Sequence, residues 1–184
     1  MQRYNETTTA TTCISTNAYV LHCKEFVNAD EIARGLSPFN PESVAIEAGR
    51  LMLQRIEYLL VKDESFSIET TLATKSYINL VRRAQAKGYT VRLLFFWLNS
   101  PELALQRIAE RVAKGGHNIP EPIVRRRYVA GICNLFRLFM SEVDSWEIYD
   151  NSEYPAVQIA RGGKDDDTSI IVESTYKTIA EYVK

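Results

Sequence analysis

The sequence is poor in glycine, cysteine and histidine. It has 8 glycines in 184 residues, and none of them precedes Phe26. The first part of the chain therefore lacks the glycine-rich loop that cradles phosphate groups in many nucleotide-binding proteins. The 3 cysteines are odd in number and show no CxxC spacing, and only 2 histidines accompany them. This composition supports neither a disulfide framework nor a zinc site.

Long apolar runs and a strong charge of one sign are also missing. No segment reaches the roughly 18 apolar residues of a membrane span, and the threonine-rich start lacks the apolar run of a signal peptide. We therefore expect a cytoplasmic protein with no membrane partner. A net charge of -1 argues against a nucleic-acid partner, because nucleic acid-binding domains are usually clearly basic. With 46% hydrophobic residues, the chain can bury one substantial core, so we predict a single domain over residues 1–184.

From Phe26 onward, short apolar runs alternate with longer stretches of helical periodicity. This alternation predicts an α/β fold in which strands and helices take turns along a parallel sheet. The predicted strands cover residues 26–28, 66–69, 91–98 and 146–149, with a short edge strand at 156–160. The predicted helices begin after Asn40, Ser100 and the Pro120 connector, and also cover 74–87 and 171–183. The apolar run at 91–98 is expected to be a central strand that is covered on both faces.

Polar residues follow each predicted strand, and ligands of open parallel sheets bind beyond the carboxyl ends of the strands. These residues are Asn28-Ala29-Asp30, Glu69-Thr70-Thr71, Asn99 and Asp150-Asn151-Ser152. Asp30 could accept a proton from a substrate hydroxyl or hold a magnesium ion through water, or it could simply cap the helix that follows. Glu69 and Thr71 are two residues apart, so both point to one side and could bind a polar substrate.

Five arginines lie between Arg107 and Tyr128. Arg107 and Arg111 share a helix face, whereas Arg125, Arg126 and Arg127 fan out by about 100° each, so only one or two of these three can face one ligand. A Gly-Gly-His-Asn-Ile-Pro connector joins the two arginine helices. The segment 107–128 therefore has the composition of a mobile phosphate-clamping lid, although a solvent-exposed basic surface would show the same residues.

Four segments together resemble the zeta toxin-like group of P-loop kinases in bacteria. They read FVNADEIARGLSPFNPES, SFSIETTL, LNSPELALQRIAERVAKGGHNIPEPIVRRRY and IYDNS. The resemblance implies a P-loop NTPase fold in which helices sandwich a parallel sheet. It also implies transfer of the γ-phosphate of ATP or GTP, with Mg²⁺, to a hydroxyl of a small molecule such as UDP-N-acetylglucosamine. An antitoxin protein is the partner that the resemblance suggests.

The resemblance also assigns roles to single residues. Asp30 matches the base toward the sugar hydroxyl, and Glu69 and Thr71 match the pair that binds the sugar. Arg111 and Arg125 match the two arginines that contact the transferring phosphate, with Arg126 as an alternative to Arg125. Asp150 and Asn151 fall where the family places a loop near the adenine.

The start of the chain departs from the family pattern. The family begins with a strand, a GxxxxGK[ST] loop and a helix, whereas residues 1–24 here form an atypical amino terminus without glycine. When Thr7 and Thr8 are aligned with the Ser/Thr after the loop lysine, Glu6 takes the place of the lysine. We expect the central first strand to be missing and its neighbours to have unpaired edges. Two explanations compete: a truncated chain, which we favour because the other site residues survive, or a degenerate relative that acts as a binding protein for a substrate or an antitoxin.

Overall fold

The computed structural model describes residues 9–15, 23–113 and 118–183. The strands are β1 (Thr9–Ser15), β2 (Glu25–Val27), β3 (Phe66–Thr70), β4 (Thr90–Trp97), β5 (Ser145–Asp150), β6 (Val157–Gly162) and β7 (Ser169–Ile170). The helices are α1 (Ala29–Leu36), α2 (Ala45–Val61), α3 (Tyr77–Ala86), α4 (Pro101–Ala113), α5 (Glu121–Asn134) and α6 (Glu173–Glu181). A 3₁₀ turn (Pro41–Val44) leads into α2, and a π-helical segment (Leu135–Phe139) continues α5. The α/β class predicted from the sequence is confirmed.

The seven strands form one sheet in the order β2-β3-β1-β4-β5-β6-β7. β2 pairs in parallel with β3, and β4 pairs in parallel with β5. β1 lies between β3 and β4 and runs antiparallel to both, so β3 and β4 point in the same direction. β6 and β7 continue the sheet as antiparallel strands. The carboxyl ends of β2, β3, β4 and β5 therefore meet at one edge of the sheet.

The central position that was expected to be vacant is filled by β1. Thr12 lies opposite Ile68 of β3 on one side and opposite Leu93 of β4 on the other. The prediction of unpaired edges beside a missing strand is therefore wrong. β1 is rich in threonine, which suits a strand, and its antiparallel direction places its amino end, not its carboxyl end, beside the ends of β3 and β4.

The core lies on one face of the sheet, where the helices pack. Alternate residues of the strands face it, as the period of two requires, and the predicted apolar stripe of α2 does the same. These residues include Phe66, Ile68, Val91, Leu93, Phe95, Trp146 and Ile148, with Ala48, Met52, Ile56, Leu59 and Leu60 from α2. In β4, Arg92 and Leu94 are only half-buried, so the expectation of complete cover on both faces is correct only near the end of that strand, where Phe95 to Leu98 are all buried.

Helix and strand ends follow local chemistry. α3 ends before Gly88, whose φ of 86° is the left-handed conformation that favours glycine after a helix. The carboxyl-terminal helix begins at Glu173, two residues later than predicted, because Ser169 and Ile170 pair with β6 first. For the same reason β6 is flanked on both sides and is not the edge strand that the sequence suggested. No helix among the described residues is long and apolar enough to cross a membrane.

Candidate functional site

A pocket of about 230 Å³ opens where the carboxyl ends of β2 and β3 meet the arginine helices α4 and α5. We call it the strand-end pocket. Its functional side chains are Asp30 at the start of α1, Glu69 and Thr71 at the end of β3, and Arg111 and Arg127 from the two arginine helices. A second cleft of about 270 Å³ adjoins it and shares Asp30 and Arg127. The fold thus brings together acidic, hydroxyl and basic groups that lie as far as about 100 residues apart in the sequence.

Asn28, and not Asp30, caps helix α1. The Asn28 side-chain oxygen accepts hydrogen bonds from the backbone N–H groups of Asp30 at 2.7 Å and Glu31 at 3.4 Å. This is the N-cap arrangement, in which a side-chain oxygen satisfies the free N–H groups of the first turn. The capping role that the sequence allowed for Asp30 therefore belongs to Asn28, and the exposed Asp30 carboxylate lies at the pocket.

Asn28 also connects the two acidic residues of the pocket. Its amide nitrogen donates a hydrogen bond to Oε2 of Glu69 at 2.9 Å, while its oxygen holds the backbone of Asp30. The side chain is buried, so both bonds lie away from most of the solvent. One buried amide thus fixes the position of the first turn of α1 relative to the end of β3. The sequence pattern predicts Asn28 only as part of a strand end, and it gives no signal for this connecting role.

The arginines of the predicted lid divide between the pocket and other environments. Arg111 and Arg127 line the strand-end pocket. Arg125 instead binds Glu121 through Nε at 2.7 Å and Glu102 through Nη1 at 2.6 Å, and these two carboxylates raise its pKa. The structure therefore does not bring Arg125 to the pocket, and Arg127 occupies that position.

Arg126 and Arg107 lie elsewhere. Arg126 is exposed and does not line the pocket or its adjoining cleft. Arg107 donates to the backbone carbonyl oxygens of Asn151 at 2.8 Å and Ser152 at 3.1 Å. It therefore stabilises the turn after β5. Of the five arginines between 107 and 128, two reach the strand-end pocket.

The predicted adenine loop forms a tight turn. Asp150 accepts hydrogen bonds through Oδ1 from the backbone N–H of Ser152 at 2.9 Å and from its hydroxyl at 2.5 Å. Asn151 donates its backbone N–H to the carbonyl oxygen of Trp97 at 2.8 Å. Asp150 and Asn151 therefore hold the turn after β5 against β4, and neither lines the strand-end pocket or its adjoining cleft.

The described residues do not fit a nucleoside triphosphate in the manner of a P-loop. Such a loop needs a strand whose carboxyl end opens into glycine-rich backbone at the site edge. The strand in the corresponding central position, β1, presents its amino end there, since Thr9 lies opposite Phe96 and Ala10 lies opposite Thr70. Thr7 and Thr8 lie outside the described residues. The described residues also contain no group of three or more His, Cys, Asp or Glu side chains that could hold a metal ion.

The sheet topology, the strand-end site and the two arginine helices define a protein of the P-loop kinase-like α/β class. The chain belongs to the zeta toxin family, because the sequence profile of that family, described as "Zeta toxin", matches residues 22–175. This membership indicates a kinase-like protein. A relative from Haemophilus influenzae, described as "Uncharacterized protein", is 35% identical over 102 residues, which cover 55% of this chain and 73% of the relative. No solved structure matches the chain.

Proposed function

We propose that the strand-end pocket is the acceptor site of a zeta toxin-type kinase domain, and that it binds a phosphorylated sugar such as UDP-N-acetylglucosamine. The observation that carries this proposal is the convergence of Asp30, Glu69, Thr71, Arg111 and Arg127 on one pocket. Family membership suggests the class of ligand, and the mixture of carboxylates with arginines agrees with it. Carboxylates accept hydrogen bonds from sugar hydroxyls, and arginine forks make paired bonds to phosphate oxygens.

Each side chain has a role in this proposal. Asp30 accepts a hydrogen bond from the acceptor hydroxyl, which is the contact that the resemblance assigns to the catalytic base. Glu69 and Thr71 bind the sugar, with Glu69 oriented by Asn28. Arg111 and Arg127 contact phosphate oxygens, so Arg127 takes the role that the resemblance gave to Arg125.

Binding, and not phosphoryl transfer, is the function that the described residues support best. The central strand β1 is antiparallel and presents its amino end beside the pocket, where a phosphate loop needs the carboxyl end of a strand. Transfer from ATP or GTP with Mg²⁺ is the activity that the resemblance implies, and it needs a phosphate-binding loop that the described residues do not provide. This proposal corresponds to the second of the two explanations drawn from the sequence, a degenerate relative that binds a substrate. An antitoxin partner stays a prediction of the resemblance.

The proposal is tested by calorimetric titration of UDP-N-acetylglucosamine into the wild type and two arginine variants. Arg127→Gln removes a charged donor from the pocket and should weaken binding by about tenfold to a hundredfold, the scale of a hydrogen bond to a charged group. Arg125→Gln is the matched control, because Arg125 lies on the same helix but pairs with Glu102 and Glu121. This control should bind as the wild type does.

Two results would contradict the proposal. Absence of binding by the wild type would contradict the assignment of the pocket as an acceptor site. A loss of affinity confined to Arg125→Gln would mean that the wrong arginine has been assigned. The same titration with ATP and magnesium should give no binding heat. Measurable ATP affinity would instead favour a complete kinase.

A further inference from the structure

Three residues on one face of α5 meet the turn that follows β3. Arg127, Gly131 and Asn134 are spaced i, i+4 and i+7, so they lie in a row along the helix. Arg127 lines the strand-end pocket together with Thr71. Gly131 and Asn134 contact the backbone of Thr71 and Leu72, one and two turns further along the helix. The same helix face therefore carries a pocket arginine, one contact to the backbone of the pocket threonine and one to the residue that follows it.

Gly131 allows an unusually close approach between the helix and the turn. A Cβ atom added at this position would lie 2.4 Å from the carbonyl oxygen of Thr71. That distance is far below a van der Waals contact, so any side chain would push α5 and the turn apart. The glycine therefore sets the separation between the helix and Thr71.

Asn134 fixes the same turn by a buried hydrogen bond. Its amide nitrogen donates to the carbonyl oxygen of Leu72 at 2.9 Å. Asn134 and Asn28 are both buried, and each donates a side-chain hydrogen bond to the end of β3 or to the turn that follows it. A buried amide without its partner would cost about 1–3 kcal/mol, so this bond strongly favours one arrangement.

The turn itself is held in an unfavourable backbone conformation. Leu72 has a φ of 58°, which is uncommon for a residue with a side chain, and it is fully buried. Its backbone N–H donates to Oγ1 of Thr70 at 3.1 Å, and its carbonyl oxygen accepts from Asn134. Strained backbone of this kind persists only where the surroundings determine it, and it concentrates at functional sites. The contacts with α5 are thus part of what presents Thr71 to the pocket.

We propose that Gly131 and Asn134 are positioning residues that set the distance between Thr71 and Arg127 across the strand-end pocket. They act through the backbone of the 70–72 turn and touch no ligand themselves. The inference rests on the proposed function for its binding test, and on the structure alone for its spectroscopic test.

The binding test compares Gly131→Ala with Gly49→Ala. Gly49 is a helical glycine in α2, and a Cβ atom added there meets no atom within 4 Å. Gly131→Ala should weaken the affinity for UDP-N-acetylglucosamine by about tenfold, the scale of one misplaced hydrogen-bonding group. Gly49→Ala should leave the affinity unchanged. Asn134→Ala, which removes the bond to Leu72 without adding bulk, should also weaken binding and serves if Gly131→Ala does not fold.

A double-mutant cycle separates positioning from mere loss of stability. If Gly131 acts by placing Arg127 and Thr71, then Gly131→Ala should have little further effect on affinity once Arg127→Gln has been made. The effect of Gly131→Ala on the urea denaturation midpoint should nevertheless persist in the Arg127→Gln variant. Additive losses of affinity, or wild-type affinity in both Gly131→Ala and Asn134→Ala, would overturn the inference.

The spectroscopic test does not depend on a ligand. In nitrogen-15 NMR spectra, the backbone amide of Thr71 and the Nε–H of Arg127 should shift in Gly131→Ala and in Asn134→Ala, but not in Gly49→Ala. If the wild type does not bind the nucleotide sugar, the proposed function fails while these shifts still test the positioning. Unchanged signals in both variants would show that the two residues do not set this geometry.

Discussion

At the scale of the residue, Asp144 joins three parts of the chain outside the pocket. Its carboxylate pairs with Lys164 at 2.7 Å and accepts hydrogen bonds from the backbone N–H of Val91 at 2.7 Å and from Gln85 at 3.1 Å. Burial raises the pKa of Asp144, but these donors outweigh it and leave the pKa below its ordinary value. The ionised carboxylate therefore stabilises the fold.

Asp144→Asn should lower the free energy of unfolding at pH 7 by about 1–2 kcal/mol, because it removes the charge from a set of three donors. Because the pKa of Asp144 is lower in the folded state, the stabilisation by its carboxylate is fully present above the unfolded-state pKa of about 4. It is lost as the pH falls through the lower folded-state pKa. The difference in the free energy of unfolding between the wild type and Asp144→Asn should thus become smaller below about pH 4. Urea denaturation at pH 7, 4 and 3 measures it, with the exposed Asp167→Asn as control. A difference that stays constant with pH would contradict this account.

The choice among the lid arginines shows what helical periodicity can and cannot decide. At about 100° per residue, the apolar stripe of Val124, Tyr128 and Ile132 points to one side of α5. Arg126 falls nearly opposite that stripe, so the sequence could have excluded it. Arg125 and Arg127 flank the stripe on opposite sides, at about 60° and about 100° from its centre, so periodicity leaves both open. The ion pair of Arg125 with Glu102 and the position of Arg127 at the strand-end pocket separate them.

At the scale of the element, the helices and the parallel strands were predictable because local pattern determines them. Asn40 and Pro41 before α2, Gly88 after α3 and the apolar run of β4 are signals within a few residues. The position of β1 could not be predicted because its partner strands lie far away in the sequence. A threonine-rich segment is compatible with a strand, but nothing in it specifies the gap between β3 and β4. The antiparallel direction also contradicts the family pattern from which the gap was inferred.

β1 should exchange its backbone amide hydrogens slowly. It is paired along both edges, whereas β7 has two residues and pairs on one side with β6. Backbone amides in a central strand exchange only when the sheet opens. The opening free energy of residues 10–14 should therefore approach the global free energy of unfolding. Hydrogen exchange followed by NMR at neutral pH measures this, with Ser169 and Ile170 as the internal comparison. Rapid exchange throughout residues 10–14 would mean that the segment does not complete the sheet.

At the scale of the whole molecule, β1 is the link between two halves of the sheet. β2 and β3 lie on one side of it, and β4 to β7 lie on the other. One hydrophobic cluster extends across both halves, from Val27 and Phe66 to Trp146 and Ile159. The strand-end pocket also draws on both sides, because Asp30 and Glu69 follow β2 and β3 while the arginine helices follow β4. The relative position of acids and arginines therefore depends on β1.

Thr12→Pro should destabilise the entire protein. Proline removes a backbone donor from the middle of a central strand and leaves its partner oxygen unpaired, which should cost about 1–3 kcal/mol or more, whereas Thr12→Ala keeps that donor and should cost much less. Urea denaturation can be followed by tryptophan fluorescence, which reports on Trp97 in β4 and Trp146 in β5, and by far-ultraviolet circular dichroism, which reports on all elements. Both transitions should move together to lower urea, since the halves share one core. The fluorescence transition could instead stay at the wild-type urea concentration while part of the circular dichroism is lost. This result would show that β4 and β5 fold without β1. The acids and arginines of the pocket would then be held together by the helices alone.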